Sequence, residues 1–260
     1  MATFLFDDII FGPVRSRRLG NSLGINLLPQ TKKICNFNCL YCECGLTNVP
    51  SSDNLKGMPA REEVRSELER TLNEFIRSNR KIDTITFAGN GEPTLHPSFS
   101  QIIDDTIELR KKYIPSSKIA VLSNATLVSK KEIKDALLKI DFNILKLDSA
   151  REETIRKINC PLGEFSLEKL IDELHSFKEN LTIQTLFVKG KYKGYSFDNS
   201  SDEELKGWLR LLKDLHPKLV MVYTIARDAP IETIEKISEE KLHSIASKVR
   251  RLGIPVTIST

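Results

Sequence analysis

No apolar run in this 260-residue chain approaches the length that spans a bilayer. The start, Met1 to Ile10, carries Asp7 and Asp8 and no basic stretch, so no secretory signal is expected there. Charge of one sign is scarce. Against 39 Lys and Arg stand 35 Asp and Glu, a net +4 that permits an anionic partner without demanding one. Cysteine is nearly confined to one stretch: four of the five fall between Cys35 and Cys44, and Cys160 stands apart. That distribution excludes a secreted disulfide framework and fits a reducing cytoplasm. No G-x-G-x-x-G follows the first expected strand, which argues against a dinucleotide-binding fold. With 40% hydrophobic and 28% charged residues, the chain has an ordinary soluble balance and length for one large α/β domain or two small ones.

What is present centres on Cys35-Asn36-Phe37-Asn38-Cys39-Leu40-Tyr41-Cys42. The spacing C-x3-C-x2-C can turn three thiolates towards one point. Three ligands leave one position of a metal centre open, and chemistry happens at open positions. A zinc site, a disulfide pair and plain buried thiols are the alternatives. Structural zinc usually splits its ligands into two distant pairs, and no second pair follows here. Cys44 extends the run to C-x3-C-x2-C-x-C and is a possible fourth ligand, although one intervening residue would force a strained turn.

The remaining chain alternates. Ser22 to Leu28 reads as a first strand, followed by the cysteine loop, a Pro/Ser/Asp/Asn/Gly loop from Val49 to Gly57, and a helix from Pro59 bearing Val64, Leu68, Leu72 and Phe75. Strands are expected at 83–88, 118–122, 142–147, 181–188 and 219–225, with a further short one at 255–259. Helices between them begin at Ser98, Ser129, Ser166, Ser201 and Ser238. Ser98 with Gln101, Ser129 with Glu132 and Ser201 with Glu204 read as capping boxes. Six strands, each followed by a helix, mean a parallel sheet with helices packed outside. One domain is expected over 1–260: a lead-in at 1–21, with a basic knot at Arg15, Arg17 and Arg18, then the sheet from 22 onwards.

The loops after strands hold polar groups. Gly89-Asn90-Gly91-Glu92-Pro93 joins close backbone approach to a carboxylate that can hold an ammonium group. A tight turn with a surface Glu is the plainer reading. His96, before Pro97 at a helix start, reads as a local structural residue. Ser123 and Asn124 can hydrogen-bond a ribose or carboxylate. Lys146 and Asp148 share one strand face and, if inward, form a buried pair that needs partners. Gln184 with Thr185 places polar groups in an apolar strand. The last of the main strands runs on through Tyr223-Thr224-Ile225-Ala226 to Arg227, a group able to reach an anionic substrate.

The cysteine spacing, with Tyr41 before the third cysteine, resembles the cluster loop of the radical SAM superfamily. FAGNGEPTLHP, from Phe87 to Pro97, is similar to that superfamily's Gly-rich motif one strand later. The lead-in GPVRSRRLGNSLGI, QTLFVKG from Gln184 and YTIAR from Tyr223 extend the likeness. They match an Fe-S oxidoreductase subgroup related to the wybutosine-forming tRNA enzymes. The archaeal members of that group carry extra upstream cysteines and the eukaryotic ones a flavin domain, and neither is found here.

The resemblance implies a partial (β/α)6 barrel with its site at the carboxyl ends of the strands. It implies that Cys35, Cys39 and Cys42 hold a [4Fe-4S] cluster. S-adenosylmethionine (SAM) is then contacted by Tyr41, Gly89, Asn90, Gly91, Glu92, Ser123, Asn124, Asp148, Gln184 and Ile225. It further implies a reduced flavodoxin or ferredoxin as electron donor and radical abstraction of a substrate hydrogen. The substrate is left open among a tRNA base, a peptide and a small molecule. A non-catalytic electron-transfer or redox-sensing module is the alternative.

Overall fold

A computed structural model describes residues 4–47, 56–226 and 231–260. Arg227 and most of the loop expected from Val49 to Gly57 lie outside the described residues.

In chain order the elements are β1 (Ile10–Ser16), β2 (Gly20–Ile25), α1 (Arg61–Arg77), β3 (Thr84–Phe87), α2 (Phe99–Tyr113), β4 (Lys118–Ser123), α3 (Lys131–Leu138) and β5 (Phe142–Lys146). There follow α4 (Glu152–Asn159), α5 (Leu167–His175), β6 (Thr182–Leu186), β7 (Val188–Tyr192), β8 (Tyr195–Asp198), α6 (Asp202–Leu215), β9 (Leu219–Tyr223), β10 (Ile234–Lys236), α7 (Glu239–Arg250) and β11 (Val256–Ser259).

The main sheet has the order β1-β2-β3-β4-β5-β6-β9-β11. From β2 to β11 every pair is parallel. Parallel neighbours need crossovers, and the helices supply them. The sheet curls into the partial barrel that the alternation implies, and the short strand expected at 255–259 closes the order. Its outer face and the helices share one apolar core, in which Leu68 and Leu72 of α1, Ile85 and Phe87 of β3, and Trp208 and Leu212 of α6 are at most 1% exposed. Burying such side chains contributes about 1.5–3 kcal/mol each. The opposite face is narrower. Leu19, Ala120, Ile144 and Met221 plug the inside of the barrel, and two polar residues point the same way: Lys146, two positions beyond Ile144, and Gln184, in register with Lys146 and Met221.

Three features depart from the sequence reading. The lead-in is not a loose arm: β1 pairs antiparallel with β2, with its register broken between Phe11 and Val14. The expected strand 181–188 ends at Leu186, and the chain then builds a separate small sheet of order β10-β7-β8. Finally, α4 was not expected; its amphipathic stripe is only Thr154, Ile155 and Ile158 among charged residues.

Two capping boxes also fail. Ser98 makes no side-chain cap; instead the Ser98 N–H donates to His96 Nδ1 at 3.1 Å. Helix α3 starts one residue later than expected, after Lys130. Ser166, Ser201 and Ser238 do cap their helices.

Candidate active site at the cysteine loop

The cysteine loop leaves the carboxyl end of β2 and is held from two sides. On one side Ile34 pairs with the Gly-rich loop: its N–H donates to Asn90 O (2.8 Å), and its carbonyl accepts from Glu92 N (3.0 Å). Gly91 makes this approach possible. Its φ is +138°, and a Cβ there would sit 1.7 Å from Ile34 O. On the other side the loop pairs with the turn after α4. Asn38 N donates to Cys160 O (3.1 Å), Leu40 N to Ile158 O (2.9 Å) and Leu162 N to Asn36 O (2.8 Å).

Glu92 is 2% exposed. Its Oε1 accepts from Thr94 N (3.1 Å), Thr94 Oγ1 (2.5 Å) and Ser123 Oγ (2.8 Å), and Oε2 accepts from Asn124 N (2.7 Å). Burial pushes its pKa up, and these four donors pull it only part of the way back. One lone-pair direction of Oε2 stays open to a further donor. Asn124 reaches on towards the cysteines. Its Nδ2 donates to Asn36 Oδ1 (2.6 Å) and lies 3.7 Å from Cys35 Sγ. Glu92, Ser123, Asn124 and Cys35 therefore form one connected patch.

A second patch gathers around Tyr41. Its hydroxyl donates to Asp148 Oδ2 and accepts from Lys146 Nζ (2.7 Å) and Asn159 Nδ2 (2.9 Å). Asn159 Nδ2 also reaches Asp148 Oδ2 (2.7 Å) and Cys39 Sγ (3.3 Å). Asp148 Oδ1 accepts from Leu186 N at 2.9 Å. The expected inward Lys146–Asp148 pair exists at 3.5 Å, with the Asp148 side chain wholly buried. Burial lowers the Lys146 pKa, but Asp148, Tyr223 and the cysteines more than offset it, so the ammonium stays protonated.

The thiols differ. Cys39 is raised by burial, and Cys35 is pushed up to about 12 for the same reason. Cys42 is pulled down to about 5, first by the hydrogen bond from Cys44 and, against burial, by Lys33. Cys44 is raised correspondingly, and its Sγ lies 3.3 Å from Gly89 O. The Lys33 ammonium is buried and donates to Gly45 O (2.7 Å). Burial lowers its pKa, while Cys42, Cys35 and Cys39 raise it by more. All five cysteines are free thiols.

Other expected residues take other roles. Asn90 is fully buried and its side chain is spent on the backbone, accepting from Phe6 N (2.8 Å) and donating to Phe6 O and Pro29 O. Gln184 lies deeper in the barrel, where its Oε1 accepts from Arg18 Nη1 (3.1 Å) and Tyr223 OH (3.3 Å). Ile225 packs with the apolar group around Cys35 and Cys42. His96 Nε2 meets Pro59 O at 2.9 Å, so His96 is the local structural residue it reads as. Asn159 and Lys33 were not singled out from sequence. Nothing in the charged stretch EETIRKIN marks its last Asn, and Lys33 reads as one more surface charge beside Lys32.

Among the described residues no three His, Cys, Asp or Glu side chains are drawn together as ligands of a single ion. The donor set suits a four-iron cluster: three free thiols in one short loop, amide N–H groups facing two of the sulfurs, and a buried ammonium beside the third.

Residues 31–191 match the radical SAM superfamily. Among curated proteins, the chain is 32% identical over 237 residues to a Brachyspira hyodysenteriae protein named GTPase Obg, covering 90% of this chain but 32% of that one. It is 31% identical to UPF0026 protein MJ1312 of Methanocaldococcus jannaschii, covering 84% of this chain and 64% of the other. Against a UPF0026 protein of Helicobacter pylori J99 the figures are 30% identity, 90% and 71%. The chain thus spans about a third of the first relative's length and just under two thirds of the second's.

Among solved structures, a radical SAM methyltransferase from Sphaerobacter thermophilus superposes with TM-score 0.66 at 16% identity, over 92% of this chain and 66% of that one. TYW1 with a lysine-pyruvate adduct bound superposes with TM-score 0.59 at 15% identity, over 88% and 73%. These likenesses share the fold. The chain carries no G-x-x-x-x-G-K-[ST] phosphate loop, so the part shared with the GTPase-named protein lacks that nucleotide signature. With the partial barrel, the matched segment and the UPF0026 relatives in agreement, this chain is a member of the radical SAM superfamily and of the UPF0026 family.

Proposed function

We propose that the chain is a radical SAM enzyme whose Cys35, Cys39 and Cys42 hold a [4Fe-4S] cluster and whose barrel mouth binds SAM. Bound there, cluster and SAM together supply a one-electron cleavage to methionine and a 5′-deoxyadenosyl radical, fed by a reduced flavodoxin or ferredoxin. The observation that carries this reading is the pair of side-chain amides, Asn124 on Cys35 and Asn159 on Cys39, that meet two of the three sulfurs. N–H groups aimed at sulfur favour the thiolate that a metal needs. Lys33 offsets the negative charge that three thiolates bring into a buried loop.

The open lone pair of Glu92 suits the SAM ammonium, a charge-assisted contact. Gly89 and Gly91 keep the backbone beside it low. Ile225 packs against the same apolar cluster that Cys35 and Cys42 border and offers an apolar surface that suits a flat adenine. Tyr41 and Asp148 act at one remove: their hydrogen bonds fix the cysteine loop rather than face a ligand. Asn90 positions the Gly-rich loop in the same way, and Gln184 belongs to the barrel interior, where substrate would lie. The reducing chemistry agrees with a cytoplasmic location. No helix among the described residues is long and apolar enough to cross a membrane.

The Cys42–Cys44 contact favours one second reading, a closed four-cysteine cluster that transfers or senses electrons without SAM. One anaerobic experiment separates the two. Iron and sulfide are reconstituted into wild type, each cysteine variant and Cys44→Ser. SAM is then added to the reduced proteins, and the EPR signal and 5′-deoxyadenosine are recorded. A SAM-dependent signal and cleavage that need Cys35, Cys39 and Cys42 but survive in Cys44→Ser and Cys160→Ala support the enzyme. Loss of the cluster in Cys44→Ser, with a wild type indifferent to SAM, establishes the closed site instead.

A further inference from the structure

A cavity of about 500 Å³ opens between β1 and the inner face of the barrel, large enough for a metabolite-sized ligand. Its walls are unequal. One is apolar, made by Phe6 and Phe11, whose rings stack 3.6 Å apart. Phe11 fills the space over Gly24 where a side chain would stand, with a Cβ there meeting the ring at 2.1 Å. The facing wall carries three guanidinium groups, Arg15, Arg17 and Arg18. The rim holds Glu43, the residue after Cys42, so the cavity borders the cysteine loop.

The arginines are placed in different ways. Arg18 is anchored inside: it donates to Gln184 Oε1 at 3.1 Å and stacks 4.5 Å over the Tyr223 ring. That fixes its fork and leaves N–H donors to spare. Arg17 reaches across to Thr260 O at the end of β11, bridging the two edges of the open barrel. Arg15 is exposed on β1. Among the described residues no Asp or Glu side chain forms an ion pair with any of the three. By contrast, Arg61, Arg65 and Arg70 of α1 are each matched to a carboxylate. Arg15 has no side-chain partner among the described residues and Arg18 keeps donors to spare, so that, even with Arg17 on Thr260 O and Glu43 at the rim, the cavity holds positive potential beside a low-dielectric wall; the planar fork fits carboxylate or phosphate oxygens two at a time.

We propose that this cavity is the substrate site and takes a small molecule bearing a phosphate or carboxylate group. The oxyanion sits on Arg15, Arg17 and Arg18, and the rest of the molecule lies along the Phe6–Phe11 wall towards the cysteine loop. The assignment rests on the radical SAM reading for the word substrate, but not for the binding itself.

The test uses the full chain without cluster. Binding of inorganic phosphate and of acetate is titrated by isothermal calorimetry at low and high salt, for wild type and for the double variant Arg15→Ala/Arg17→Ala. Arg18 is left alone because Gln184 and Tyr223 lean on it. Thermal melting of the double variant confirms that it is folded; if it is not, Arg15→Ala alone serves, since no side-chain partner holds Arg15. Wild type is expected to bind at least one of the two anions, more weakly as salt rises, and the variant at least tenfold more weakly. The stronger ligand tells phosphate from carboxylate. Failure of both anions to bind, or equal binding by wild type and variant, overturns the proposal. So does a short single-stranded RNA that binds through these arginines when neither small anion does. SAM cleavage without substrate is followed in parallel on reconstituted protein. Anion binding in a protein that never cleaves SAM would sink the radical reading and leave this site standing.

Discussion

Replacing Glu92 by glutamine changes one oxygen and removes one charge in a site with no solvent to compensate. The carboxylate accepts four hydrogen bonds, two from backbone N–H groups and two from hydroxyls. An amide has one oxygen. If its nitrogen takes the Oε2 position, it faces the Asn124 N–H; if it takes the Oε1 position, it faces the Thr94 N–H. The Ser123 and Thr94 hydroxyls can rotate to accept, but a backbone N–H cannot. Either orientation leaves one buried donor unsatisfied, at about 1–3 kcal/mol. Burial already pushes the carboxyl pKa up, so removing the charge returns part of that cost, and the lower half of the range is expected. Urea unfolding of the cluster-free protein measures it: the midpoint should fall with an unchanged slope. Loss of the open lone pair should also weaken SAM roughly tenfold, since ~1.4 kcal/mol is one decade. A variant as stable as wild type would refute the donor count. Unchanged SAM affinity by calorimetry would refute the ammonium contact and leave Glu92 a purely structural residue.

Gly91→Ala should be among the most damaging single-methyl changes, because the added Cβ would lie 1.7 Å from Ile34 O at a φ of +138°. Strain and a lost backbone pair predict roughly 2–4 kcal/mol, against about 1 for Gly194→Ala, where a Cβ meets nothing within 4 Å; equal losses in urea would dismiss the clash. His96 has its pKa lowered by burial, against the Pro59 carbonyl. Its neutral form therefore stabilises the fold at pH above its ordinary value near 6.5, and that stability is lost as pH falls through the depressed folded value. His96→Gln should flatten the fall in melting temperature over that acid window, and an unchanged pH profile would count against the assignment. Asn159→Ala should leave the cluster bound but shift its reduction potential, because a donor to Cys39 sulfur is gone; an unaltered potential in voltammetry would reduce Asn159 to packing.

The barrel was legible because its signals are local. Strands such as TITF and helices bearing Leu68, Leu72 and Phe75 show their periods within a few residues. β1 was hidden because Gly12-Pro13 reads as a breaker and its arginines read as an arm, although a strand at a sheet edge tolerates both. β7 was absorbed into β6 because only Phe187 separates them. In the candidate site, spacing and residue type single out the cysteines and Glu92, and the fold brings their loops side by side. What Tyr41, Asp148 and Asn90 do was not legible, since each is defined by a partner from a distant part of the chain. Asn90 reads as a ligand contact until Phe6, 84 positions away, is found bonded to it.

That remoteness fixes an order of events. All three thiols precede in the chain the groups that steady them. Asp148 meets Tyr41 across 107 positions, and Asn159 meets Cys39 across 120. Contacts so distant in sequence form late in folding, after the intervening chain has paid its closure entropy. A growing chain would therefore present three unsupported cysteines until residues 148 and 159 have emerged, open to stray zinc or oxidation. Chains halted before residue 148 should take up zinc but no stable iron–sulfur cluster, and metal analysis of such halted chains would tell. If the loop holds a cluster as proposed, iron would be delivered to a finished barrel, sealing the fold rather than seeding it.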